Sequence, residues 1–372
     1  MLWKNRLLAA VLAAAVTAAL TAALCFFGSE RSPYVPAPME GGLTRAAVGV
    51  APGEIVMRVD GNEAPAELLT YEIGYNCAYL DYLLSQRGEG PFDPDGLLPD
   101  GQSASEYVWS ESLLMLKQQL ALENLAARCG VTLSEEDEAA IAAGRQSYVD
   151  ELGEAGYRAE LYKLGVSESG FERISRAAYL YAALYEAYST PGTELYADDD
   201  ALRAYAEGSG YITADHILIP TVDLSTREKL DERTIEKNRA LAEDLLSQLR
   251  RSRDPIETFA ELADRYSEDT GRAANPDGYT FAPGTMVSEF DSAARALREG
   301  EISGVVESQY GYHIILRRPL DARKAAEAVR GEYFDVFLNA EVENARHELT
   351  DAAKRFDVAR VWKAFSDANG RG

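Results

Sequence analysis

His216 and His313 are two of the three histidines in a chain of 372 residues. Each stands just before an aliphatic run, in "TADHILIP" (Thr213 to Pro220) and in "SQYGYHIILRR" (Ser308 to Arg318). Imidazole donates and accepts hydrogen bonds, binds metals and titrates near neutral pH. A lone histidine beside an apolar strand is usually a core residue whose ring nitrogens find partners, because buried polar groups are hydrogen-bonded. Two such residues in similar settings raise the question of a shared site.

Other chemistries are excluded by what the chain lacks. "HELTD" at His347 resembles half of a zinc-protease helix, but Asp351 stands where the second histidine belongs. His347 reads as a helix-surface residue. No Walker loop, Rossmann glycine pattern, G-x-S-x-G or paired-cysteine spacing occurs, so no metal site and no cofactor is expected. Asp93, Asp95 and Asp100 lie in "GEGPFDPDGLLPDG", which lacks the alternating ligands and closing glutamate of a calcium loop and reads as solvated turn. A bridge between Cys77 and Cys129 is unforced.

The elements that must position the histidines lie between Tyr211 and Arg318. "YITADHILI" is strand-like, Thr226 to Arg251 reads as a charged amphipathic helix, and "DPIETFAELADRYS" reads as another with Asp254 as its cap. A Gly/Pro-rich passage, a short helix "SEFDSAARAL" and the strands "GVVES" and "YGYHIILRR" follow, giving a compact α+β domain over 211–318. Around it the texture is helical, over 54–210 and again over 319–372, with Ser105 and Ser134 as candidate N-caps and Gly130 as a stop. "EIVMRVDGNEAP" offers one short strand and an Asp-Gly turn. The C-terminal helices need an apolar partner, so the α+β domain is expected to be inserted in one all-α unit.

Residues 31–53 read as a flexible linker, and 1–30 as a membrane anchor or signal segment. Lys4 and Arg6 precede an unbroken apolar run, Leu7 to Phe27, long enough for one transmembrane helix with the N-terminus in the cytoplasm. That would place the bulk of the chain outside the cytoplasmic membrane. A cleaved signal peptide and a lipid anchor at Cys25 stay open as alternatives. The net charge of −24 argues against nucleic acid as a partner, which needs clustered Lys and Arg. Arg227, Lys229, Arg233 and Lys237 are interleaved with acids and read as a solvated face.

The stretches "ADHILI", "FAELADRYSED", "GTMVSEFDSAARALREGEIS" and "YGYHIIL" occur in the order in which the parvulin family of peptidyl-prolyl cis/trans isomerases carries its motifs. The segment from Tyr211 to Arg318 resembles that family across nearly its full length. The helical surroundings and the anchor are similar to PrsA-type extracytoplasmic foldases. The resemblance implies a small antiparallel sheet with surrounding helices, with His216 and His313 facing each other from neighbouring strands. It implies that Met286 and Phe290 form a cup for the proline ring, that Asp269 lies beside the twisting carbonyl, and that Ser308 ties into the histidines. One departure stands out. The family's usual Gly-Gly-Asp-Leu-Gly is replaced by "NPDGY", with Gly278 in the leucine's place and Tyr279 in a glycine's. Tyr279 is therefore a candidate for supplying the missing apolar surface to the substrate.

The function expected is peptidyl-prolyl isomerisation that assists folding of secreted or cell-envelope proteins. Unfolded or extended polypeptides with X-Pro bonds would be the partners, held by the helical domain, and a homodimer is allowed. The alternatives are a catalytically weak or inactive parvulin-fold chaperone, motivated by "NPDGY", and a structural cell-envelope protein.

Overall fold

A computed structural model describes residues 42–98 and 101–370. The chain divides into two compact units, the first built from the residues up to Tyr196 and from Phe334 onward, the second from Ala197–Tyr333. The apolar run Leu7 to Phe27 lies outside the described residues, and among those described no helix is long and apolar enough to cross a membrane.

The first unit is not all-helical. Strands β1 (Ile55–Val59) and β2 (Asn62–Pro65) form a hairpin whose turn, Asp60-Gly61, has positive φ at both residues, as a tight two-residue connection requires. The free edge of β1 pairs with β7 (His347–Leu349), so the sheet order is β2-β1-β7. This corrects two expectations, the all-α unit and the helix-surface placement of His347. The helix Ala322–Asn344 stops before His347, and backbone bonds from Asp60 to Arg346 and from Thr350 to Val56 draw the segment onto β1. A short stretch with weak local preference yields to sheet pairing.

Helices Ala66–Gln86, Ala104–Arg128 and Val358–Ala368 bury Leu69, Ile73, Leu116, Leu120 and Val361 in the core of this unit. The linker expectation fails from residue 42 onward, because Gly42–Val48 is a helix whose Leu43, Ala47 and Val48 are buried; residues 31–41 lie outside the described residues. Ser134 caps its helix in a full capping box with Asp137. Ser103, and not Ser105, caps Ala104–Arg128; Ser105 instead donates to the Pro94 carbonyl. Cys77 and Cys129 are free thiols. Asp93 spends a carboxylate oxygen on the Asp95 amide, while Asp100 lies outside the described residues.

The second unit holds a four-stranded antiparallel sheet of order β4-β3-β6-β5, with β3 (Ile212–Pro220), β4 (Tyr279–Phe281), β5 (Ile302–Ser308) and β6 (Gly311–Arg318). All nine residues of β3 are buried. Strand alternation sorts its side chains: Ile217 and Ile219, with Ile314 and Leu316 of β6, pack against helices Glu232–Arg251 and Pro255–Tyr266 through Leu245 and Phe259. Ile212, Ala214 and Ile315 face the other way, toward Phe281 and the helix Ser288–Ala296. The expected helix from Thr226 begins only at Glu232, where Asp231 accepts the cap bond from the Thr234 amide. Upstream, Asp223 takes the amides of Ser225 and Thr226 in a local turn that competes with helix, and Val222 bridges to Lys229.

Candidate active site

Alternation puts His216 and His313 on one face of adjacent central strands. Their register partners are Ile315 and Leu218, so the two rings meet on the diagonal of one antiparallel pair. The rings lie nearly parallel at 11°, with Nδ1 to Nδ1 at 3.0 Å. Both side chains are buried.

Each outer nitrogen finds a second partner. His313 Nε2 lies 2.7 Å from Ser308 Oγ, which also accepts the Tyr310 amide at 3.1 Å. His216 Nε2 lies 3.2 Å from Asp269 Oδ2, the oxygen that accepts the Tyr279 hydroxyl at 2.6 Å. The Gly271 amide donates to Asp269 Oδ1 at 3.1 Å. Five side chains thus form one string: Tyr279, Asp269, His216, His313, Ser308.

Burial alone would push the Asp269 carboxyl up, but hydrogen bonds from His216, Tyr279 and the Gly271 amide outweigh it and hold it at about 2. An ionised Asp269 only accepts, so His216 Nε2 must donate. A ring carrying a single proton then presents Nδ1 as an acceptor. His313 Nδ1 therefore donates, its Nε2 accepts, and the Ser308 hydroxyl donates to it. Proton positions assigned in this way run in one direction, from Ser308 to Asp269.

Burial, with His216 beside it, pushes His313 down to about 3 from an ordinary value of 6.5. For both groups the unfolded chain takes up a proton at higher pH than the folded one, so stability falls on acidification. The His313 contribution is complete above about pH 6.5 and is lost toward pH 3; that of Asp269 is present above pH 3.8 and lost as pH falls through about 2. The urea midpoint of the second unit is expected to drop between pH 7 and pH 4, and less in His313→Gln than in the wild type. Equal slopes in that window would refute the assignment.

Phe290 covers the pair. Its ring meets His216 at 5.1 Å and His313 at 5.5 Å, both edge-to-face, and only 3% of the residue is exposed. Met286, in the bend just before the helix Ser288–Ala296, is half-buried against the same cluster, together with Tyr279 and Val306. All seven residues singled out by the sequence, His216, Asp269, Ser308, His313, Met286, Phe290 and Tyr279, therefore lie around one face of the sheet. Tyr279 also joins the string directly, since its ring meets that of His216 at 5.9 Å in a T-shaped contact and its hydroxyl donates to Asp269.

Sequence reasoning missed two residues that hold this site. Ser267, after the helix Pro255–Tyr266, accepts the Leu218 amide at 3.0 Å and the Asp269 amide at 3.4 Å, latching the Asp269 loop to β3. Asp215, buried on the opposite face of β3, pairs with Arg272 at 2.8 Å and Arg318 at 3.1 Å, and Arg272 also holds Asp264 at 2.7 Å. A carboxylate inside a buried aliphatic strand requires cationic partners, and that was the available signal. Among the described residues, no group of three or more His, Cys, Asp or Glu side chains is placed to hold a metal ion.

Residues 216–318 match the family model described as rotamase, PPIC-type PPIase domain. The chain is 32% identical over 169 residues to the foldase protein PrsA of Oceanobacillus iheyensis, covering 45% of this chain and 48% of that protein. It is 29% identical over 201 residues to the foldase protein PrsA of Halalkalibacterium halodurans, covering 53% of each. The chain thus spans about half the length of these relatives. The crystal structure of PrsA from Bacillus subtilis is 21% identical and covers 74% of this chain and 91% of that one, with a TM-score of 0.24.

Proposed function

We propose that the chain, whose residues 216–318 match the rotamase, PPIC-type PPIase model, is a peptidyl-prolyl cis/trans isomerase that assists the folding of secreted or cell-envelope proteins. The observation that carries this reading is the hydrogen-bonded string from Tyr279 to Ser308, whose buried histidine pair lies against Phe290, inside the matched segment.

Rotation about X-Pro faces a barrier of about 18–20 kcal/mol because the C–N bond is partly double. No bond to the protein need form. What is required is a surface that binds the twisted amide better than either planar isomer. In this reading Phe290 and Met286 seat the proline ring, and the rotating carbonyl lies beside Asp269. The histidines and Ser308, already hydrogen-bonded to one another, hold that carboxylate in a fixed and largely dry setting, so little reorganisation accompanies the twist. The phenol ring of Tyr279 supplies apolar surface beside Gly278, which removes the main motive for a binding-only chaperone.

The helical parts, 54–210 and 319–372, would hold extended polypeptide around the domain. The apolar run Leu7 to Phe27, after Lys4 and Arg6, would anchor the chain with its bulk outside the cytoplasmic membrane.

The test is cis-to-trans conversion of short X-Pro peptides by the full chain, with Met286→Ala beside it. Met286 is half-buried, so the variant is expected to keep its melting temperature and lose at least about tenfold in kcat/KM, the scale of lost apolar contact in a pocket. A folded wild type without acceleration, or a variant as active as the wild type, would refute the proposal.

A further inference from the structure

Tyr279 opens β4 opposite Ala214 of β3, and the glycines at 278 and 271 allow two close approaches beside it. Gly278 has φ +90°, and a Cβ there would stand 2.6 Å from the Ala214 carbonyl oxygen. A leucine at this position is therefore incompatible with the backbone. A Cβ on Gly271 would stand 2.1 Å from the Tyr279 hydroxyl oxygen. Gly278 thus lets the chain lie close to β3 just before Tyr279, and Gly271 leaves room for the phenol and its hydrogen bond to Asp269. "NPDGY" is a rebuilt corner of the site.

That hydroxyl matters because a row of two imidazoles can be protonated in either sense. If the string were reversed, His216 Nδ1 would donate to His313, His313 Nε2 would donate to Ser308, and His216 Nε2 would become an acceptor facing Asp269. Only a fixed anionic acceptor at the Asp269 end selects the sense described above. Oδ1 of that carboxylate is held by the Gly271 amide, while Oδ2 is held by His216 and by Tyr279, with Tyr279 the closer at 2.6 Å against 3.2 Å. Without the phenol, Oδ2 keeps a single side-chain donor and the carboxylate can turn away from His216.

We propose that Tyr279 is a positioning residue for isomerisation, its hydroxyl fixing the Asp269 carboxylate and, through it, the direction of the hydrogen bonds across the His216–His313 pair. This rests on the isomerase reading. The role is carried by one oxygen atom, which makes it separable from the apolar contribution of the ring.

The experiment is Tyr279→Phe in the full chain, which keeps the ring and deletes the hydroxyl. Two readouts are taken: kcat and KM separately on an X-Pro peptide series, and histidine ring nitrogen shifts. The chain has only three histidines, and exposed His347 serves as the internal reference. The expected result is an unchanged KM, a kcat lower by about tenfold, the scale of one hydrogen bond to a charged group, and nitrogen shifts at His216 and His313 that move toward a mixture of tautomers. Unchanged kcat with unchanged shifts overturns the proposal. So does a raised KM with unchanged kcat, which would make Tyr279 pocket surface only. A wild type that shows the single-sense tautomer pattern but no acceleration refutes the isomerase reading, and with it a positioning role.

Discussion

Phe290→Ala is expected to abolish isomerisation and to destabilise the second unit by about 3–5 kcal/mol, the usual cost of deleting a buried aromatic ring. Phe290 is buried in its cluster, and its ring touches both imidazoles and Phe281. Truncation opens a cavity and admits water to the histidine pair, so packing and the dry setting of the site are lost together. Urea denaturation reads the first loss and peptide conversion the second. Phe290→Leu separates them: an aliphatic residue keeps most of the buried area but not the flat ring over the histidines. It should stay folded under assay conditions and still lose activity by about a hundredfold, more than one apolar contact is worth. A Leu variant with wild-type kcat/KM would show that the ring only fills the core.

The second large effect is expected from Asp215→Ala, at about 3–5 kcal/mol, because it leaves the Arg318 guanidinium without its carboxylate and Arg272 with only the exposed Asp264. The Asp215 side chain is 3% exposed, those of Arg272 and Arg318 15% and 25%. Asp215 also accepts the amide of His216 at 2.8 Å. Arg272 ties β3 to the segment that follows Asp269, so the variant should lose activity beyond its loss of stability. Calorimetric melting combined with peptide conversion well below the new midpoint would show both. A shift in melting temperature of less than about 2 °C would contradict the buried-pair account. The double variant Asp215→Ala, Arg318→Met should recover part of the loss, because the guanidinium left without a carboxylate is gone.

The sequence alone was enough to find three of the four strands of the second unit, while β4 lies in the passage that reads only as Gly/Pro-rich. "ITADHILIP" and its partner "GYHIILRR" each carry an unbroken aliphatic run of strand length, so His216 and His313 could be placed on strands from local information. The motif order carried Met286, Phe290, Asp269 and Ser308 to the same neighbourhood by resemblance. The "NPDGY" departure was visible as a changed string of letters, but its meaning was not. That Gly278 lies against the Ala214 carbonyl, and that the Tyr279 hydroxyl reaches Asp269, depends on the β3–β4 register and on where the loop after Ser267 is latched.

The same division explains the errors in the first unit. Gly42–Val48 is rich in small residues and reads as linker, yet packing against the core makes it helix. His347–Leu349 sits among helix-forming residues, and becomes a strand because the edge of β1, almost three hundred positions earlier, offers unpaired backbone groups. Asp215 and its two arginines come from three separate segments. Periodicity, caps and turn residues are properties of a few neighbouring positions, and the sequence by itself determined those features. Hydrogen bonds, ion pairs and strand edges that join distant segments depend on which surfaces the packed chain brings together, so the proton string, the Asp215 ion pairs and the edge strand β7 were decided only by the tertiary structure.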